Sequence, residues 1–159
     1  MKNIVRTTVL SLPLMVFLSA KSQIPISTDV VGKLTIAKAS ITNLKNMLQM
    51  SYSDWESSLA GMGYGYKNLS GDAVSLSKGS TMSGGIHRVT KSASTIAIGW
   101  YHSGNSNTVL DNLIEQLRPF YKGLNEGHAV YQQKDGDIIY QFVISRDNAG
   151  EYVIMNTYK

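Results

Sequence analysis

The 159-residue chain contains no cysteine, and its 15 basic side chains outnumber 11 acidic ones. The lack of cysteine excludes disulfides, thiol catalysis, zinc–thiolate centres and a lipid-modified N-terminal cysteine. Three basic residues, Lys2, Arg6 and Lys21, precede residue 23. The remainder is nearly neutral, with no basic stripe of the kind that binds nucleic acid.

The chain opens as an export signal. Lys2 and Arg6 give a positive start to the apolar run TTVLSLPLMVFLSA, which is shorter than the about 20 residues of a membrane span. Ala20 and Ser22 are small residues at −3 and −1 of a cut before Gln23. The reading is a signal peptide over 1–22 and a single α+β domain over 23–159. The mature protein is expected to be periplasmic or secreted, with no integral membrane segment, metal or cofactor.

Residues 28–50 read as an N-terminal helix, capped by Thr28 or Asp29, with Leu34, Ile41, Leu44 and Leu48 near one face. A second helix follows. Its start reads as a capping box in SDWE, Ser53 with Glu56, and Trp55, Leu59 and Met62 recur at helical spacing. Gly61-Met62-Gly63-Tyr64-Gly65 superficially suggests a phosphate loop. A dinucleotide fingerprint requires a strand before the glycines and a helix after them. Here the helix comes first, so the cluster reads as its C-terminal stop. A third helix runs from near Thr108 through VLDNLIEQLR until Pro119 ends or kinks it.

Each of the last two helices precedes a run of strands, and the runs resemble one another. YKNL (66–69) matches YKGL (121–124) at a spacing of fifty-five. AVSLSKG (73–79) lies opposite AVYQQKD (129–135), and TIAI (95–98) opposite EYVI (151–154), at fifty-six. Such self-similarity points to a repeated unit. The expected architecture is two tandem αβββ units, unit one over 53–103 and unit two over 107–159. Their strands would form an antiparallel sheet with helices on one face.

Motifs with catalytic overtones are weak. SLSK (75–78) has the S-x-x-K spacing of serine acylases but lacks that class's partner motifs, and reads as a strand ending in lysine. His87, His102 and His128 lack metal-ligand spacing, and Asp111 with Glu115 reads as a solvated acidic helix face.

Nine tyrosines and two tryptophans carry the functional expectation, because such rings bury much area while keeping a polar tip. Alternation in the strands places Ile96, Ile98 and Trp100 in the core, with Val153, Met155 and Thr157 beside them. Tyr101, Tyr152 and Tyr158 then share the outward face and are the candidate binding residues. The expectation is a non-catalytic, inhibitor- or immunity-like protein-binding module of the bacterial envelope or exterior. Glycan or peptidoglycan binding through exposed tyrosines is the alternative. A small hydrolase using His87, His102 and a carboxylate is a second one.

Overall fold

The computed structural model describes residues 25–80, 85–101 and 109–158. The export signal expected over 1–22, His102 and Ser103 lie outside the described residues. Those described form a mixed α+β fold: three α-helices, a two-stranded hairpin and an eight-stranded antiparallel sheet.

The N-terminal helix expected over 28–50 is corrected to a hairpin followed by a shorter helix. Strands β1 (Thr28–Val31) and β2 (Leu34–Ala37) pair antiparallel, and α1 occupies only Ile41–Gln49. Val30, Val31, Thr35 and Ile36 are β-branched and favour extended backbone. Gly32, at φ +59°, makes the turn, and Ser40 Oγ then caps α1 by accepting from the Asn43 N–H. Helical spacing of leucines across 28–50 had hidden this boundary.

The second helix, α2 (Tyr52–Gly61), starts two residues earlier than the SDWE reading implies. Ser51 is its N-cap, accepting from Asp54 N at 3.1 Å. Glu56 instead holds Lys67 at 2.8 Å. Its C-terminus closes as expected from the glycines. Tyr64 N–H donates to Leu59 O and Gly63 N–H to Ala60 O, the bond pair of a Schellman motif with Gly63 at φ +86°. The third helix, α3 (Asp111–Leu117), passes into a 3-10 turn over Arg118–Phe120 containing Pro119.

The remaining strands are β3 (Tyr66–Ser70), β4 (Ala73–Ser80), β5 (Gly85–Lys91), β6 (Thr95–Tyr101), β7 (Tyr121–Asn125), β8 (His128–Asp135), β9 (Ile138–Asp147) and β10 (Gly150–Tyr158). Four strands, not three, follow each of α2 and α3. The additional ones are the short exposed β3 and β7, which YKNL and YKGL form. Sheet order is β3-β4-β5-β6-β10-β9-β8-β7. Two four-stranded meanders therefore meet at a β6–β10 seam, where Ile98 pairs with Val153.

The pairings fix which way each side chain points. Leu76, Val89, Ile98, Val153, Ile144 and Ala129 lie in register across the sheet, on the helix side. They join Leu44, Met47, Trp55, Leu59, Leu113 and Leu117 of the helices in one core. Ile96, Ile98, Trp100, Val153 and Met155 are buried as the alternation implied, whereas Thr157 is only partly so. The fifty-six-residue matches need correction. They set outward Ala73 against inward Ala129 and outward Thr95 against inward Glu151, since a shift of one residue reverses every side chain. A spacing of fifty-five keeps faces alike: Val74 with Ala129, Leu76 with Tyr131, Val89 with Ile144, Ile98 with Val153.

Candidate functional site

Among the described residues the helices occupy one side of the sheet, so alternate residues of its eight strands project from the other. Across its centre run Ile86, Arg88 and Thr90 of β5, Ala97, Gly99 and Tyr101 of β6, and Tyr152, Ile154 and Asn156 of β10. Gln141, Val143 and Ser145 of β9 continue the face. Beside the tyrosines, the hydroxyl and amide side chains of Thr90, Asn156, Gln141 and Ser145 alternate with the apolar Ile86, Ala97, Val143 and Ile154.

Two of the three candidate tyrosines meet here. Tyr101 and Tyr152 sit diagonally across the seam, because Tyr101 pairs with Gly150 and Tyr152 with Gly99. They line one depression of about 200 Å3 with Arg88, Ala97, Gly99 and Ile154. Tyr101 is 41% exposed; Tyr152 is half-buried and packs near the His128 ring, 6.1 Å between centroids. Gly99 leaves room for the Tyr101 ring, which would lie 3.0 Å from any Cβ placed there. Tyr158 shares the face but not the depression. Six residues along β10 separate it from Tyr152, roughly 20 Å at strand rise, and its hydroxyl donates to Gln141 Oε1.

Arg88 was missed by the sequence reading. Its Nε donates to Ser77 Oγ at 3.3 Å, and its guanidinium carbon lies 5.4 Å from the Tyr101 ring centroid. The available signal was an arginine alternating outward in a strand whose other outward residues are uncharged.

The histidines do other things. His87 points to the helix side and is fully buried. The Tyr64 hydroxyl accepts from Ala37 N–H and shares a hydrogen bond of 2.6 Å with His87 Nδ1. Burial first, and the nearby Lys78 charge second, push the His87 pKa down to about 3. Burial also raises the Tyr64 phenol well above its ordinary value. Lys78, closing the SLSK stretch, spends its ammonium on the Thr35 and Met62 carbonyls. Approach of His87 to His102 concerns a residue outside those described. Tyr131 is buried on the helix side.

Asp111 is held by Arg146 and Glu115 by Arg118, each at 2.5 Å. Among the described residues no group of three His, Asp or Glu side chains is arranged to hold a metal ion, and no helix is long and apolar enough to cross a membrane. A second depression, of about 170 Å3, lies between α1 and the β9–β10 ends. It is lined by Leu48, Ile138, Tyr140 and Thr157, with Lys45 Nζ 4.0 Å from the Tyr140 ring centroid.

No family model matches the chain, and neither a curated protein nor a solved structure matches it.

Proposed function

We propose that this is an exported, non-catalytic protein-binding module, inhibitor- or immunity-like, which engages its partner through the helix-free face of its sheet. The observation that carries the reading is the composition of that face. Tyrosines and a few aliphatics at the seam are surrounded by Ser, Thr, Asn and Gln. Such a mixture supplies large rigid contact area with adaptable hydrogen bonding. Strand pairing holds these side chains on rigid backbone, which limits the entropy lost on association.

The reading includes a tandem origin for the two meanders, each with its preceding helix. Tyr66 with Tyr121, Lys67 with Lys122 and Leu69 with Leu124 support it at a spacing of fifty-five. Leu69 and Leu124 pair with the matching Val74 and Ala129, whereas a bulge after Tyr121 sets that residue against Tyr131 while Tyr66 faces Ser77. It also includes export to the periplasm or exterior after cleavage before Gln23, which N-terminal sequencing of the exported protein tests.

The partner surface is tested by incorporating a photo-crosslinking phenylalanine analogue at position 101 and, separately, at Leu48 on the helix side. The expected result is a discrete covalent adduct with another protein from position 101 alone. Adducts from position 48 alone, or from neither, would overturn the reading.

A further inference from the structure

We propose that the depression at the seam receives a carboxylate side chain of the partner protein, with Arg88 as its charge partner and Tyr101 and Tyr152 as its aromatic walls. The proposal rests on the reading of the helix-free face as a protein-binding surface.

Among the described residues Arg88 is the only charged one lining the depression. Its β-neighbours are Ser77 and Gly99, and the residues around those are Thr90, Ala97 and Ser75. Ion pairs elsewhere hold Lys45, Lys67, Arg118 and Arg146. Among the described residues no acidic side chain lies within ion-pair reach of Arg88.

One nitrogen of the guanidinium is committed, Nε to Ser77, and the plane is steered by the Tyr101 ring. The two terminal nitrogens have no acceptor among the described residues. A guanidinium fixed at Nε presents those nitrogens as a fork that matches a carboxylate.

The surroundings strengthen such a pair. Once a partner covers the face, Ile154 and the two rings would surround the pair with apolar surface, and Coulomb attraction rises as the local dielectric falls. The Tyr101 ring lies over Gly99, and the small Ala97 keeps the floor low beside it, where an incoming side chain can descend toward Arg88. The charge count selects the ligand class. A single arginine balances one negative charge, whereas recognition of phosphorylated segments uses clusters of arginines.

The experiment selects random dodecapeptides displayed on phage against the immobilised mature protein, then measures synthetic peptides by fluorescence anisotropy. Clones that lose binding on Y101A or Y152A are expected to share one Asp or Glu. Replacing that acid by its amide should weaken binding by about tenfold or more, R88Q should cause a similar loss, and the two changes together should cost little more than either. R88K should restore only part.

Clones that need Tyr101 and Tyr152, carry no common acid and ignore R88Q would overturn the carboxylate proposal while leaving the binding face intact. Clones indifferent to both tyrosines, or no enriched clones, would count against the face itself. Acetate that displaces the peptide at concentrations comparable to the peptide's own would make this a small-anion site and overturn the proposal. The acid-to-amide exchange alters only the peptide, so it decides the question even if R88Q melts early.

Discussion

Glu151 and Arg146 face one another across the β9–β10 pairing, with Arg146 Nε 3.0 Å from Glu151 Oε2. The carboxylate is fully buried, whereas the arginine side chain is 31% exposed. Its other oxygen, Oε1, accepts from Leu110 N–H at the start of α3, and Arg146 also holds Asp111 in that helix's first turn. Since α3 has no side-chain N-cap, Glu151 places negative charge where the helix dipole favours it. Removing one partner of a buried pair leaves an uncompensated charge. Arg146→Met is expected to cost about 2 kcal/mol, less than the about 3–5 kcal/mol of a fully buried pair, because Arg146 is partly solvated. Glu151→Gln should cost about 1 kcal/mol, since an amide oxygen still accepts from Leu110. Urea melts of both variants check this; equal losses would refute the uncompensated-charge account.

His87 predicts acid sensitivity. Its native pKa, about 3, lies below the ordinary 6.5, so an unfolded chain binds a proton that the native state refuses. Stability contributed by this difference is full above pH 6.5 and declines as pH falls toward 3. The steepest slope for one proton is about 1.4 kcal/mol per pH unit. His87→Gln can still hydrogen-bond the Tyr64 hydroxyl but does not titrate. Its melting temperature should therefore fall less than the parent's between pH 6.5 and pH 4. Parallel pH profiles would show that His87 does not govern acid unfolding.

Lys91 is buried on the inward face of β5, where its ammonium donates to the Met47 and Leu48 carbonyls in the last turn of α1. Cations are favoured at that helix end. Burial nevertheless lowers its pKa from 10.5 to about 8. Lys91→Met is expected to cost about 1–2 kcal/mol at pH 7 by leaving those carbonyls without donors. From pH 8 to 10.5 the unfolded chain holds the proton that the native state has shed, so parent stability should rise relative to the variant. Paired denaturant titrations at pH 7 and pH 9.5 test both signs.

The seam depends on a glycine. A Cβ at Gly150 would lie 2.2 Å from the Trp100 carbonyl oxygen, and that contact is backbone. β10 would have to move away from β6, disturbing the pairing that joins the two meanders. Gly150→Ala should cost about 3 kcal/mol or more, within the class of backbone-strain substitutions. Gly136→Ala, at φ +59° in open space, should cost only about 1 kcal/mol. Similar thermal shifts for the two would contradict this account.

Much of the sheet was legible because alternation is a strong local signal. Ile96, Ile98, Trp100, Val153 and Met155 could be assigned to the core from period two alone. The glycine stop after α2 was equally legible, because Gly63 and Tyr64 occupy the C-terminal cap positions. The hairpin over 28–37 was not. Leu34, Ile41 and Leu44 happen to fall at helical intervals, and the β-branched cluster that favours strands was weighed too lightly. The one-residue slip between the halves could not be seen either, because identities in AVSLSKG and AVYQQKD competed with the faces that only pairing reveals. Arg88 gave only a weak local signal, an arginine on the outward face of a strand otherwise uncharged there. Its environment is assembled from β4, β5, β6 and β10, which no short window contains.

The three outward tyrosines should separate by position. Tyr101 and Tyr152 share the depression, whereas Tyr158 lies at the far end of β10 and bonds Gln141. Truncating the exposed Tyr101 or Tyr158 to alanine should change stability by no more than about 0.5 kcal/mol. Tyr152→Ala should cost about 1 kcal/mol, since that ring is half-buried. Binding energy concentrates in a few central aromatics, and peripheral ones contribute little. Against the partner identified by crosslinking at position 101, Tyr101→Ala and Tyr152→Ala should each weaken affinity by about 2 kcal/mol, near thirtyfold. Tyr158→Ala should weaken it less than threefold, about 0.6 kcal/mol. The triple variant should keep its circular dichroism spectrum and lose measurable binding. A folded triple variant with parental affinity would place the interface elsewhere, and an unfolded one would show that these rings serve the fold.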